Sequence, residues 1–228
     1  LSILDKLGIK NKFENNKITV HPCDKIKDIT VNVESDWSSV SYFYSIIAIS
    51  KKSHLEIGSY FKNSIQGDKK LVEIYSKLGV KTEFIENKIF LEKDTECLLP
   101  KNLDLDLTEN PDIAQTIAVT CFGLGISCNI KGLHTLKIKE TDRLVALKNE
   151  IEKLGGKIEI TDDSLKLYPS FEIKKNISIK TYNDHRMAMA FAPLSLLVPI
   201  YIENPDVVTK SYKNFWSDLR AINFEISR

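Results

Sequence analysis

The chain has 228 residues, with 32 Lys plus Arg against 31 Asp plus Glu, so its formal net charge is only +1. That near-cancellation excludes a broad electrostatic surface for nucleic acid or an acidic membrane, and any anion binding must come from local clusters. Apolar residues make up 43% of the chain, enough for a packed core, yet no apolar run reaches membrane-spanning length and no signal peptide is visible.

In chain order, three segments resemble one another. Ile3–Lys10 leads through Glu14-Asn-Asn16 to Ile18–Val20; Ile74–Lys81 leads through Glu86-Asn87 to Ile89–Leu91; Ile151–Lys157 leads through Asp162-Asp163 to Leu165–Leu167. Each reads as a helix end closed by a glycine (Gly8, Gly79, Gly155) and followed by a β-hairpin over an Asn- or Asp-bearing turn. A second helix start recurs with the same long period. Ser38-Ser39 precedes Tyr42–Ile49, Pro111-Asp112 precedes Ile113–Phe122, and Asn183–Arg186 precedes Met187–Leu197. The chain therefore reads as three copies of one α/β unit. Lys62–Lys70 is polar and turn-rich, which puts the expected domain boundary near Gln66-Gly67, with 1–66 in one domain and 67–228 in the next. The chain begins at Leu1 rather than Met, as expected of a processed chain or a fragment.

Leu136–Arg143 sets two lysines, two carboxylates and an arginine just before an apolar pattern at Leu144, Leu147, Ile151 and Leu154. The pattern predicts a helix capped by Thr141 or Asp142 and entered from a strand over Leu136–Ile138. Amide N–H groups and the positive helix end there suit an anion, and Lys139 and Arg143 add full charges. Glu140 is a candidate general acid or base; a solvated helix start is the plainer reading. The recurrent helix starts carry Ser38, Ser39 and Tyr42, then Asp112, then Asp184, His185 and Arg186. N-capping explains Ser39 and Asp112 equally well, and a partly buried histidine explains His185. Lys210 opens an expected helix, Lys210–Trp216. Among Cys23, Cys97, Cys121 and Cys128 there is no C-x-x-C pair, so a zinc site is not expected. Cys121 and Cys128 read as core residues, and a reducing cytoplasm is the expected compartment.

Leu136–Arg143 with its K-E-T-D-R string, Tyr182–Met189 with N-D-H-R-M-A, and Asn204–Trp216 together resemble the 5-enolpyruvylshikimate-3-phosphate synthase family. Pro111–Thr116 and Glu34–Tyr42 match in the same order, and the resemblance covers essentially the whole chain, but only the later half of the family's sequence. It implies an α/β fold of two similar domains, each of three βαβαββ units. Here that would be one repeat of one domain plus most of the other. It implies transfer of the enolpyruvyl group of phosphoenolpyruvate to the 5-hydroxyl of shikimate 3-phosphate, with release of phosphate. No metal or organic cofactor is implied, no nucleic-acid or membrane partner, and a monomer when complete.

By that resemblance Glu140 moves the proton at C3, Asp112 binds the substrate's hydroxyls and acts as base, and His185 is an active-site histidine. Arg143 and Arg186 clamp the phosphoenolpyruvate carboxylate, Lys210 meets its phosphate, and Lys139, Ser39 and Tyr42 meet shikimate 3-phosphate. Thr135 stands where some members carry a substrate-binding Asn. The family's early phosphate loop and its Ser-Ser-Gln segment have no counterpart, so the chain alone is expected to be inactive. Rival readings are a UDP-N-acetylglucosamine enolpyruvyl transferase and a non-catalytic binding or scaffold relic of the same fold. The K-E-T-D-R string argues against the former, and retention of acid, clamp and lysine together argues against the latter.

Overall fold

All three glycine-closed helix ends are present in the computed structural model, which describes residues 1–227. Gly8, Gly79 and Gly155 have φ of 79°, 79° and 98°, a left-handed backbone that glycine adopts without Cβ strain. The chain divides into two compact units, Leu1–Val33 and a second beginning at Glu34.

In the first unit, α1 (Ser2–Lys6) leads to an antiparallel hairpin of β1 (Asn11–Glu14) and β2 (Lys17–Val20). Its two-residue turn, Asn15-Asn16, has φ of 49° and 60°; asparagine tolerates that region, and the twist matches a hairpin. None of residues 1–33 is buried within the described structure.

The second unit runs α2 (Trp37–Ile49), β3 (His54–Gly58), α3 (Leu71–Ser76), β4 (Val80–Ile85), β5 (Lys88–Lys93), β6 (Asn102–Asp106), α4 (Ala114–Leu124) and β7 (Ser127–Lys131). It continues with α5 (Arg143–Lys153), β8 (Ile158–Ile160), β9 (Ser164–Leu167), β10 (Ile177–Ile179), α6 (His185–Phe191), β11 (Ile200–Ile202) and α7 (Phe215–Ala221). The strands form sheets ordered β3-β5-β4, β6-β7-β9-β8 and β10-β11. β6 and β7 are parallel, as are β10 and β11; the other pairs are antiparallel.

Three helices form the centre. α2 is buried at every position but Ser39, α4 from Ala114 to Phe122, and α6 at every position but Arg186. Helices apolar all round must be enclosed, and α4 packs against both α2 and α6. The α2–α4 seam is sewn by hydroxyls: Ser41 with Thr116 at 3.1 Å, and Thr120 donating to Ser45 at 2.7 Å. Tyr75 of α3 joins Thr120 at 2.9 Å. Each buried hydroxyl finds a partner, so the seam fixes helix register rather than stranding polar groups. It also aligns the starts of α2 and α4, where the site lies.

Two expectations are corrected. Leu136–Ile138 is not a strand but the end of a 3-10 helix, His134–Ile138. Leu136 N–H bonds back to Leu133 O at 2.9 Å, which buries Leu136 and leaves Ile138 exposed. Lys210 closes a 3-10 helix, Pro205–Lys210, instead of opening an α-helix. The expected boundary near Gln66-Gly67 falls inside the second unit. Gln66 Oε1 accepts from Trp37 N–H at 2.9 Å and its Nε2 donates to Ser35 O at 2.9 Å, and the Ser38 hydroxyl donates to Asp68. The polar stretch is thus fastened to the start of α2.

Among the described residues, no helix is long and apolar enough to cross a membrane.

Candidate active site

Asp142 caps α5 by accepting from the N–H groups of Leu144 and Val145, each at 3.1 Å. Capping places Arg143 as the first helical residue, pointing into the molecule, with only 2% of its side chain exposed. Three carboxylates surround its guanidinium. Nε donates to Asp184 at 2.6 Å, Nη1 to Asp112 at 2.9 Å, and Nη2 to Glu140 at 2.7 Å. Asp184 itself caps α6, accepting from Arg186 N–H at 2.8 Å. Arg143 therefore joins the starts of α4, α5 and α6.

Asp112 is the crossing point. Besides Arg143, it receives Arg186 Nη2 at 3.3 Å and Lys139 Nζ at 3.3 Å, and its carbonyl accepts from Arg186 Nη1 at 3.2 Å. His185 Nδ1 lies 3.6 Å from Glu140 Oε1 and 3.8 Å from Asp184 Oδ1, beyond hydrogen-bond distance. Lys210 Nζ donates to Asn183 O at 2.6 Å, immediately beside this group. Asp112, Lys139, Glu140, Arg143, His185, Arg186 and Lys210 are thus brought to one place.

Burial works to raise the Asp112 carboxyl, but Arg186, Lys139 and Arg143 outweigh it and hold it below its ordinary value. Burial likewise opposes, and Arg143, His185 and Arg186 help to enforce, a lowered value at Glu140. Burial, aided by the two arginines, lowers His185 against the pull of Asp184 and Glu140. At neutral pH the site thus holds two ionised carboxylates and a neutral imidazole. The linkage signs agree: in all three cases the unfolded chain binds protons more readily than the folded one, so stability rises with pH. The His185 contribution should fade as pH falls below about 6.5, and those of Asp112 and Glu140 as it falls below about 4. Urea midpoints of the chain between pH 8 and 3 should show both steps. His185→Gln should remove the upper one and Asp112→Asn should blunt the lower; a profile unchanged by either substitution would contradict the assignment.

Ser39 and Tyr42 make no hydrogen bond to this group among the described residues, though Tyr42 lies near enough to Arg186 for each to shift the other. Tyr42 is 1% exposed and packs edge-on against Phe215 at 5.7 Å. Burial, in part offset by Arg186, pushes its phenol up to about 12. Ser39 sits at the start of α2, where its hydroxyl donates to the capping Asp36 at 2.7 Å. Glu140 is not the sole acid among these cations. Asp112 and Asp184 stand between them, and Asp68 and Asp36 lie near Arg186, whose guanidinium they help hold charged against burial. What sequence reasoning missed is the role of the fully buried Asp184 as the partner of Arg143, and Asp68 altogether. The Asp184–Arg143 pair spans 41 positions and leaves no local spacing signal; Asp68 was hidden in what read as a linker. Thr135 Oγ1 is buried without a hydrogen-bond partner among the described residues, so its substitution for Asn leaves a hydroxyl unused by the protein.

Glu140, Asp184 and His185 bring potential metal-ligand atoms within 4.8 Å of one another. They do not fit a divalent ion well. Both carboxylates already neutralise the Arg143 guanidinium, whose fixed charge would repel the ion.

The architecture has counterparts among solved structures. An EPSP synthase from Acinetobacter baumannii superposes with a TM-score of 0.77 at 20% identity, covering 96% of this chain and 53% of that one. The enolpyruvyl transferase NikO from Streptomyces tendae gives 0.66 at 15% identity, covering 99% and 52%. At such identities the likeness is one of fold, and the fold is that of the enolpyruvyl transferases. In sequence, the 3-phosphoshikimate 1-carboxyvinyltransferase of Bacteroides fragilis is 45% identical over 197 residues, 85% of this chain and 48% of the relative. That of Methanococcus aeolicus is 32% identical over 235 aligned residues, all of this chain and 53% of the relative. The family model for EPSP synthase (3-phosphoshikimate 1-carboxyvinyltransferase) matches residues 1–219, and the chain belongs to that family. It spans about half the length of the curated relatives it matches.

Proposed function

We propose that this chain supplies the proton-transfer and anion-clamping part of a 3-phosphoshikimate 1-carboxyvinyltransferase. The reaction joins the 5-hydroxyl oxygen of shikimate 3-phosphate to C2 of phosphoenolpyruvate, adds a proton at C3, and then expels phosphate as that proton position is relinquished. The observation that carries this reading is the Asp112 carboxylate held between two guanidiniums, Arg143 at 2.9 Å and Arg186 at 3.3 Å, with Glu140 on the same Arg143. Two guanidiniums converging on one carboxylate make a fitted cradle for another.

In this reading the substrate carboxylate exchanges with Asp112 between Arg143 and Arg186. The exchange frees Asp112 to accept the hydroxyl proton. A bound substrate carboxylate competes for Arg143, so Glu140 takes up a proton from water, gives it to C3 and takes one back as phosphate leaves, held in place by Arg143 and the neutral His185 beside it. Lys139 and Lys210, a surface-facing pair of point charges at the rim, take the phosphates. Leu1–Val33 we assign to one domain and the chain from Glu34 onward to the other. A protein of the relatives' full length is expected to be a cytoplasmic monomer. The match to the 3-phosphoshikimate family model favours this substrate over a UDP-sugar.

The test is phosphate release from both substrates in an enzyme of the relatives' full length carrying these residues. A relic would bind shikimate 3-phosphate and release none. Arg186→Lys should raise the KM for phosphoenolpyruvate roughly tenfold or more, since an ammonium cannot reproduce the planar two-pronged contact. An unchanged KM would remove Arg186 from the clamp.

A further inference from the structure

Helix α5 grips the segment that carries His185 and Arg186 at two points. At its first residue, Arg143 holds Asp184. Two turns later on the same face lies Glu150, fully buried. Its Oε2 accepts from Lys153 Nζ at 2.7 Å and from the backbone N–H of Lys180 at 3.1 Å, and its Oε1 accepts from the Tyr182 hydroxyl at 2.7 Å. A buried carboxylate inside a helix face is costly, and an apolar residue of similar volume generally serves stability as well or better.

What Glu150 holds is the most unusual backbone of the site. Tyr182 and Asn183 are successive left-handed residues, with φ of 55° and 57°, and neither is glycine. Such a pair persists only where its surroundings over-determine it. The turn decides where the site begins. Asp184 N–H closes it onto Thr181 O at 2.9 Å, Asn183 O receives Lys210 Nζ at 2.6 Å, and His185 and Arg186 follow directly. Among the described residues, Glu150 makes no hydrogen bond to the catalytic group itself.

We propose that Glu150 is a positioning residue. It locks the Tyr182-Asn183 turn and thereby sets the separation of Arg186 and Lys210, the two cations assigned to the carboxylate and phosphate of one ligand. The identity of that ligand rests on the functional reading above; the locking does not.

The test uses the 228-residue chain and its Glu150→Ala, Glu150→Gln and Tyr182→Phe variants. Amide hydrogen exchange is followed at 180–186 and in α4, and phosphoenolpyruvate affinity is measured by calorimetry in an enzyme of the relatives' full length carrying the same substitutions. Glu150→Ala should speed exchange at 180–186 at least tenfold with α4 as protected as in the wild type, and weaken phosphoenolpyruvate at least tenfold. Glu150→Gln should recover most of both, because its amide can still accept from Lys180 N–H and donate to the Tyr182 hydroxyl. Should Glu150→Ala not fold, Tyr182→Phe carries the comparison and should speed exchange at 180–186 alone. Unchanged exchange there, exchange rising equally in α4, or no recovery with Gln would overturn the proposal. If the wild-type enzyme of full length fails to bind phosphoenolpyruvate, the functional reading fails, while the exchange comparison still decides the role of Glu150.

Discussion

Replacing Arg143 with Ala is expected to destabilise the fold by about 3–5 kcal/mol, the range for removing one partner of a buried ion pair. The guanidinium is 2% exposed and Asp184 is 0% exposed, so water cannot take its place beside that carboxylate. The same change unties Asp112 and Glu140 and loosens the junction of α4, α5 and α6. In a unit of this size the loss corresponds to a fall in Tm on the order of 10 °C. Two companions sharpen the result. Arg143→Lys should lose less, since an ammonium satisfies some but not all of three divergent partners. Adding Asp184→Asn to Arg143→Ala should recover part of the loss, because the amide still caps α6 without stranding a charge. Urea denaturation of the three variants measures all of this. A loss below about 1 kcal/mol in Arg143→Ala would mean the guanidinium is not the tie it looks to be.

The largest kinetic effect is expected at Glu140. In an enzyme of the relatives' length, Glu140→Gln should lower kcat by about 10²–10⁴-fold, the usual worth of a positioned proton-transfer group. Substrate affinity should be nearly unchanged. The amide oxygen can still accept from Arg143 Nη2, so the cluster keeps its shape. What it loses is the capacity to give and retrieve a proton, a transition-state effect that leaves KM alone. A matching rise in KM would instead assign Glu140 to ground-state binding.

Much of the architecture was legible because it repeats. The glycines at 8, 79 and 155 announced three left-handed helix ends, and all three are present. The polar helix starts at Ser39, Asp112 and His185 announced that different side chains would occupy equivalent ends of α2, α4 and α6. Local chemistry narrowed the cap of α5 to Thr141 or Asp142, and the structure takes Asp142. Interactions between distant positions were not legible. Nothing near Arg143 names Asp184 as its partner, and nothing near Glu150 names the Tyr182 turn. Leu136–Ile138 looked like a strand because its apolar alternation fits a strand or a tight turn equally; the Leu136 N–H bond back to Leu133 O marks the 3-10 helix instead. Lys62–Lys70 looked like a linker because polar, turn-rich sequence is also what caps and ties a helix start, here through Gln66 and Asp68.

Proton transfer at C3 of phosphoenolpyruvate can be watched directly. Addition turns the methylene of phosphoenolpyruvate into a methyl group, and reversal takes one hydrogen back, so turnover in D2O leaves deuterium at C3 of recovered phosphoenolpyruvate. The measurement is mass spectrometry of phosphoenolpyruvate after incubation with shikimate 3-phosphate and a full-length enzyme carrying these residues, with Glu140 or Gln at position 140. The account predicts deuterium incorporation with Glu140 and none above background with Gln, at equal binding of both substrates. Incorporation at the same rate in both proteins would place the proton donor on another residue and contradict it.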